Sequence, residues 1–170
     1  MKAAAAVLAA ALFVVGCGYR LVASGAAHGR PLRVGPVVDD SREPLFGSQL
    51  RAALARGVVD RPEAALGASG QAGAWLLSTR VVSVQETAVA YAVGDLPRLY
   101  LLAAEIEAKL EAPGGRVVWK GLKIRSDREF AAGDKVEQTQ VRKGEALTQL
   151  ARQLAGEVLR RVDLVTDGGA

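Results

Sequence analysis

The run RLYLLAAEIEAKLE (residues 98–111), followed by APGG (112–115) and RVVWKGLKIR (116–125), decides how this chain folds. Read with a period of two, Tyr100, Leu102, Ala104, Ile106, Ala108 and Leu110 share one face, opposite Glu105, Glu107, Lys109 and Glu111. Read as a helix, Leu99, Leu102, Ala103, Ile106 and Leu110 also form a stripe, built from residue types that favour helix. Periodicity leaves both readings open, and the turn decides between them. Pro113, Gly114 and Gly115 lead straight into a β-rich run carrying Val118, Leu122 and Ile124, so a long hairpin explains both flanks.

Working outward, WLLSTRVVSV (75–84) alternates as a strand, with Trp75, Leu77, Thr79 and Val81 to one side and Ser78 and Arg80 to the other. Gly94 and Asp95 mark a hairpin turn between it and the next strand. Upstream, LRVGPVV (32–38) has strand character, and Pro36 places it at an edge or in a bulge. Asp39, Asp40 and Ser41 follow as a polar turn. A helix is expected from about Pro44, with Leu45, Phe46, Leu50, Ala53 and Leu54 on its apolar face and Gly57 as its stop. Residues 61–73, rich in Ala and Gly and holding Pro62, read as a loop, as does the polar stretch 126–140 around Phe130. The last element is the clearest: Leu147, Leu150, Ala151, Leu154, Ala155, Val158 and Val162 recur at helical spacing. Residues 166–170 (TDGGA) are expected to be a disordered tail.

The order β-α-β-β-β-α predicts an α/β (α+β) fold, a two-layer sandwich of a four-stranded mixed sheet with two helices on one face. A strand–helix–strand unit crosses over right-handed, so the first two strands are expected to be parallel and the others to pair by antiparallel hairpins. This single domain is assigned to residues 31–165.

Ahead of it stands a different kind of sequence. Met1 and Lys2 give a positive start, residues 3–15 are uncharged and rich in Ala, Val and Leu, and VVGC ends at Cys17, the only cysteine. The apolar run is shorter than the ~20 residues of a membrane span but suits a signal-peptide core. A lone cysteine permits no internal disulfide and no cysteine-rich metal site, and a free thiol in a secreted chain needs its own explanation. The string VVGC resembles the lipobox of bacterial lipoproteins. That resemblance makes residues 1–16 a signal peptide, gives Cys17 an S-diacylglycerol and an N-acyl chain, and makes residues 17–30 a tether to the membrane. Three acyl chains would anchor stably, at about 0.8 kcal/mol per buried methylene.

Cleavage after Gly16 leaves about 150 residues, one domain's worth. The chain carries 22 Lys and Arg against 18 Asp and Glu, for a net charge of +4. No block of like charge and no second long apolar run is present, so nothing points to nucleic acid or to a transmembrane span.

Several strings then resemble the LPS-assembly lipoprotein family, LptE. The cysteine continues as CGYRL (17–21), like the start typical of that family. Residues 32–54 resemble its first strand and helix, AWLLSTRVVSV (74–84) its second strand with Thr79 where a small residue is usual, and GGRVVWKG (114–121) its "G-x-V-x-W" strand; SDREF (126–130) and the closing helix resemble the remainder. The resemblance implies a non-enzymatic subunit that plugs and helps assemble the outer-membrane β-barrel LPS translocon, LptD, faces the periplasm, and assists insertion of lipopolysaccharide. Gly18 lacks the Asp associated with inner-membrane retention, which fits outer-membrane sorting.

No catalytic constellation is visible. His28 is the only histidine and lies in the tether, which removes His-based triads and multi-histidine metal centres. Glu105, Glu107 and Glu111 read as a solvated or lumen-facing sheet surface. Arg80, Arg98, Lys120, Arg125 and Arg128 are the candidate LPS-binding residues: gathered at one end of the sheet, they would suit lipid phosphates. Trp75, Trp119, Tyr100 and Phe130 read as core or sheet-packing residues. Two other readings stand beside the translocon subunit: a lipoprotein that regulates an envelope enzyme such as a peptidoglycan synthase, and an anchored hydrolase, which the missing nucleophile–base pair disfavours.

Overall fold

The structure, a computed structural model, describes residues 31–61 and 73–167. The expected signal peptide and tether, with Cys17 and His28, lie outside those residues, as do most of the expected loop at 61–73 and residues 168–170. The elements are β1 (Leu32–Asp39), α1 (Phe46–Val59), β2 (Trp75–Tyr91), β3 (Pro97–Glu111), β4 (Val117–Ala131) and α2 (Val136–Asp167). The sheet order is β1-β2-β3-β4, with β1 parallel to β2 and the other pairs antiparallel. Residues 98–111 are therefore strand, and both helices pack on one face of a mixed sheet, as the order of elements predicts.

One core fills the space between the layers. Leu102, Ala104, Ile106, Ala108 and Leu110 of β3 are all buried, and so are Trp75, Leu77, Thr79 and Val81 of β2. They meet Phe46, Leu50 and Leu54 of α1 and the α2 stripe from Leu147 to Val162. Burial of each large side chain contributes about 1.5–3 kcal/mol, and this cluster is where most of that accrues. Tyr100 and Phe130 stack across β3 and β4 with centroids 5.1 Å apart. Thr79 is the exception to the apolar lining: its hydroxyl is buried without a hydrogen-bond partner.

Several expected boundaries move. Strands β2 and β4 run past residues 84 and 125 to Tyr91 and Ala131, so most of the loop placed at 126–140 is strand and then helix. Their outer halves are mostly exposed, Phe130 apart, and lose the period-two signal, while the backbone ladder continues. Helix α1 begins at Phe46, and Leu45, expected on its apolar face, is the N-cap with φ 67° and is 74% exposed. The cap acceptor comes from elsewhere. Asp39, at the end of β1, accepts from the Gly47 N–H at 2.7 Å with one carboxylate oxygen and from Ser41 N–H and O–H with the other. A Cβ on Gly47 would meet Asp39 at 2.8 Å, so this approach requires glycine. Gly57 is not a stop; it lets α1 approach α2, where an added Cβ would lie 2.6 Å from Leu159. Helix α2 includes Thr166 and Asp167, which were expected in the tail.

Candidate functional site

The strand pairing orients the molecule. Leu32 pairs with Trp75 beside the β3–β4 turn, so the described chain enters at that end of the sheet. The β2–β3 hairpin tip lies at the other. The 17 residues of β2 separate the two by about 50 Å at ~3.3 Å per residue. Both turns use positive φ: Gly94 and Asp95 at the tip, Gly114 and Gly115 at the entry end.

The tip is apolar and uncovered. Val93 is 99% exposed, Leu96 65%, Tyr91 59% and Val89 45%, all within one hairpin end. Turns ordinarily carry several polar residues, and AVAYAVGDL (88–96) has Asp95 as its one charged residue. The sequence reading located this turn but not its exposed side chains; the apolar residues flanking Gly94 and Asp95 were the available signal.

The sheet face away from the helices is polar. Glu107 lies between Arg80 and Lys123, and Glu105 between Ser83 and Arg125. Lys123 reaches Glu105 at 3.5 Å and Glu107 at 3.9 Å, and Lys109 pairs with Glu111 at 2.9 Å. The three glutamates thus sit half-buried among lysines on the open sheet surface.

The five predicted LPS-binding residues do not converge. Arg98 is beside the β2–β3 tip, Lys120 is at a β4 bulge toward the opposite end, and Arg125 and Arg128 lie between them on β4. Arg125 and Arg80 lie on the open face, separated by β3, and Arg80 is paired with Asp40 at 2.7 Å. Arg128 pairs in register with buried Leu102, on the helix side. Alternation along β4 makes this unavoidable, since Arg125 and Arg128 are an odd number of residues apart.

A different basic cluster forms where β4 meets α2. Lys123, Arg125, Arg160 and Arg161 line a groove of about 270 Å³, together with Ile124, Ser126, Gln153 and Glu157. Glu157 binds both Arg160 and Arg161, the latter at 3.2 Å. The hydrogen bond from Arg160, with its charge and the Arg161 contact, holds the Glu157 carboxyl below the usual carboxylate value. The sequence reading placed Arg160 and Arg161 only as outward residues of the last helix. Their meeting with β4 is a tertiary fact.

A third cluster fastens the layers. Lys143 of α2 is mostly buried and bridges Glu43, before α1, at 2.8 Å and Glu86 of β2 at 3.0 Å. Burial lowers the Lys143 pKa, but its hydrogen bonds and charge interactions with Glu43 and Glu86 outweigh that and leave it raised.

The fold and these surfaces define a class: a two-layer α+β domain with a polar sheet face and an apolar hairpin tip. Solved lipoproteins share that fold. A rare lipoprotein B from Shewanella oneidensis superposes with a TM-score of 0.53 over 80% of this chain and 97% of its own, at 13% identity. An uncharacterized lipoprotein B from Nitrosomonas europaea gives 0.52 over 83% and 86%, at 14% identity. A minor lipoprotein from Acinetobacter baumannii gives 0.50 over 81% and 92%, also at 14% identity. No protein-family model and no curated protein matches the chain in sequence. Among the described residues, no helix is long and apolar enough to cross a membrane.

Proposed function

We propose that this chain is a non-enzymatic outer-membrane lipoprotein, anchored through acyl chains on Cys17, that seats in the lumen of the β-barrel LPS translocon LptD. There it helps the barrel assemble and assists passage of lipopolysaccharide. The observation that carries this reading is the exposed apolar tip of Val93, Leu96 and Tyr91, about 50 Å along β2 from the entry end. A bilayer with its headgroups is about 40–45 Å thick, so a sheet of this length, tethered at one end, reaches through a barrel of that height. The polar open face suits the polar interior of such barrels. The CGYRL start and the shared lipoprotein fold support the same reading.

The test is affinity purification of the tagged full-length protein from outer membranes in mild detergent, followed by mass spectrometry. Recovery of a large β-barrel LPS translocon in near-equal amount is the expected result. Recovery of a peptidoglycan synthase instead would replace this reading with that of an envelope-enzyme regulator.

A further inference from the structure

We infer that the outer groove between α1 and α2 is a docking site for a short acidic segment of a partner polypeptide, held by Arg56 and Arg152. The two helices lie side by side, with Ser48 beside Thr148 and Gly57 against Leu159. Two adjoining hollows between them, of about 240 and 440 Å³, share Ala53, Arg56 and Arg152. Arg56 stands one turn after Ala52 and Ala53 on α1, and Arg152 one turn before Ala155 and Gly156 on α2, so helical spacing sets both arginines on the groove. Both are exposed, and neither has an ion-pair partner among the described residues. The Arg56 Nε–H donates to the Ala52 carbonyl at 3.3 Å, which leaves its two Nη groups open to another acceptor. Asp60, at the far end, is the one carboxylate that lines the groove, and Arg61 beside it is paired with Asp163 at 3.0 Å.

The floor of the groove is open. Glycine inside a helix costs stability relative to alanine, yet a Cβ on Gly156 would meet nothing within 4 Å. Packing within the chain does not require glycine there, and the space above it is free for a partner's backbone. From Ser48 to Asp60 the groove runs about 18 Å at ~1.5 Å per helical residue, room for about five residues of extended chain at ~3.3 Å each. That length suits a peptide rather than a lone small anion. Two unpaired guanidinium groups select a peptide that carries Asp or Glu, because guanidinium and carboxylate pair bidentately. At the Ser48 end, the amide oxygen of Gln49 is buried without a hydrogen-bond partner, and a turn of its side chain offers that acceptor to a peptide N–H. The site does not depend on the barrel partnership.

The experiment measures, by fluorescence anisotropy at low salt, binding of the capped peptide AEAEAEA and its neutral counterpart AQAQAQA to the full-length protein in nonionic detergent. The acidic peptide is expected to bind about tenfold or more tightly than the neutral one, as charge-assisted hydrogen bonds imply. The double variant Arg56→Gln/Arg152→Gln should lose the same factor, and glutamine at two exposed helix positions keeps the fold. Gly156→Leu leaves both arginines in place and fills the floor, so it should weaken binding by a similar factor without lowering the melting temperature. The pair Arg160→Gln/Arg161→Gln, on α2 outside this groove, controls for overall charge and should bind as wild type. Equal binding of the two peptides, or wild-type affinity in either the Arg56→Gln/Arg152→Gln or the Gly156→Leu variant, overturns the site. Displacement of the acidic peptide by millimolar inorganic phosphate overturns it too, by assigning the arginines to a small anion. Barrel recovery in the purification above reports separately on the translocon role, so the two readings fail independently.

Discussion

Replacing Val93 and Leu96 with serine should detach the protein from the barrel proposed as its partner while leaving the fold unchanged. In the free protein Val93 is 99% exposed and Leu96 65% exposed, so their burial energy is unused. Full burial of such a side chain is worth about 1.5–3 kcal/mol. Seating the tip against a partner would recover about 1.5 kcal/mol from Val93, and a similar amount from the exposed two-thirds of Leu96. Losing about 3 kcal/mol weakens association roughly a hundredfold. Folding stability should move by less than ~0.5 kcal/mol, because neither side chain packs in the core. Barrel recovered per tagged lipoprotein gives the first readout, and thermal unfolding of the purified variant gives the second. Wild-type barrel recovery with an unchanged melting curve would refute the reasoning, because the tip would then be uncovered in the assembly as well. A lowered melting temperature would refute it differently, by showing that the tip stabilises the fold.

Three further outcomes follow from the interior. Thr79→Val keeps shape and removes the unpartnered buried hydroxyl, so urea unfolding should show a gain of about 1 kcal/mol. Asp39→Ala removes the acceptor for Gly47 at the start of α1 and should cost about 1–2 kcal/mol in the same assay. Lys143→Met leaves Glu43 and Glu86 without their shared cation at a mostly buried position, and should cost about 2 kcal/mol, between exposed and buried pairs. Because the folded Lys143 pKa is raised, its contribution is complete below the unfolded value near ~10.4 and fades as pH rises through the folded one. The gap between wild type and Lys143→Met should therefore be constant through neutral pH and narrow only in strong alkali; narrowing already at neutral pH would contradict the assignment.

How much of this could be read from the chain depended on where water is. Beneath the helices, β3 shows unbroken alternation from Ala104 to Leu110, and the α2 stripe from Leu147 to Val162 repeats every turn, because one side of each is dry. Those signals, with Gly114-Gly115 and Gly94-Asp95, were enough for element order and sheet class. The outer parts of β2 and β4 are mostly exposed, Phe130 apart, so residues such as Gln85, Glu86, Asp127 and Arg128 carry no period that marks a strand. What keeps them in the sheet is backbone pairing to β3. The α1 cap was hidden for another reason: Asp39 reads as a turn residue, and only the close approach at Gly47 makes it an acceptor for a helix seven residues on.

The candidate surfaces were legible in inverse proportion to their sequence span. The apolar tip is one contiguous string, and a count of polar residues around Gly94 would have found it. The basic groove joins Arg125 to Arg160 and Arg161, so it exists only because α2 crosses the edge of β4. Grouping basic residues by type rather than by face instead assembled Arg80, Arg98, Lys120, Arg125 and Arg128, which the ladder spreads along the sheet and onto different sides. Of these, Arg125 alone lines the groove, and it does so with two arginines that looked like ordinary solvated helix surface.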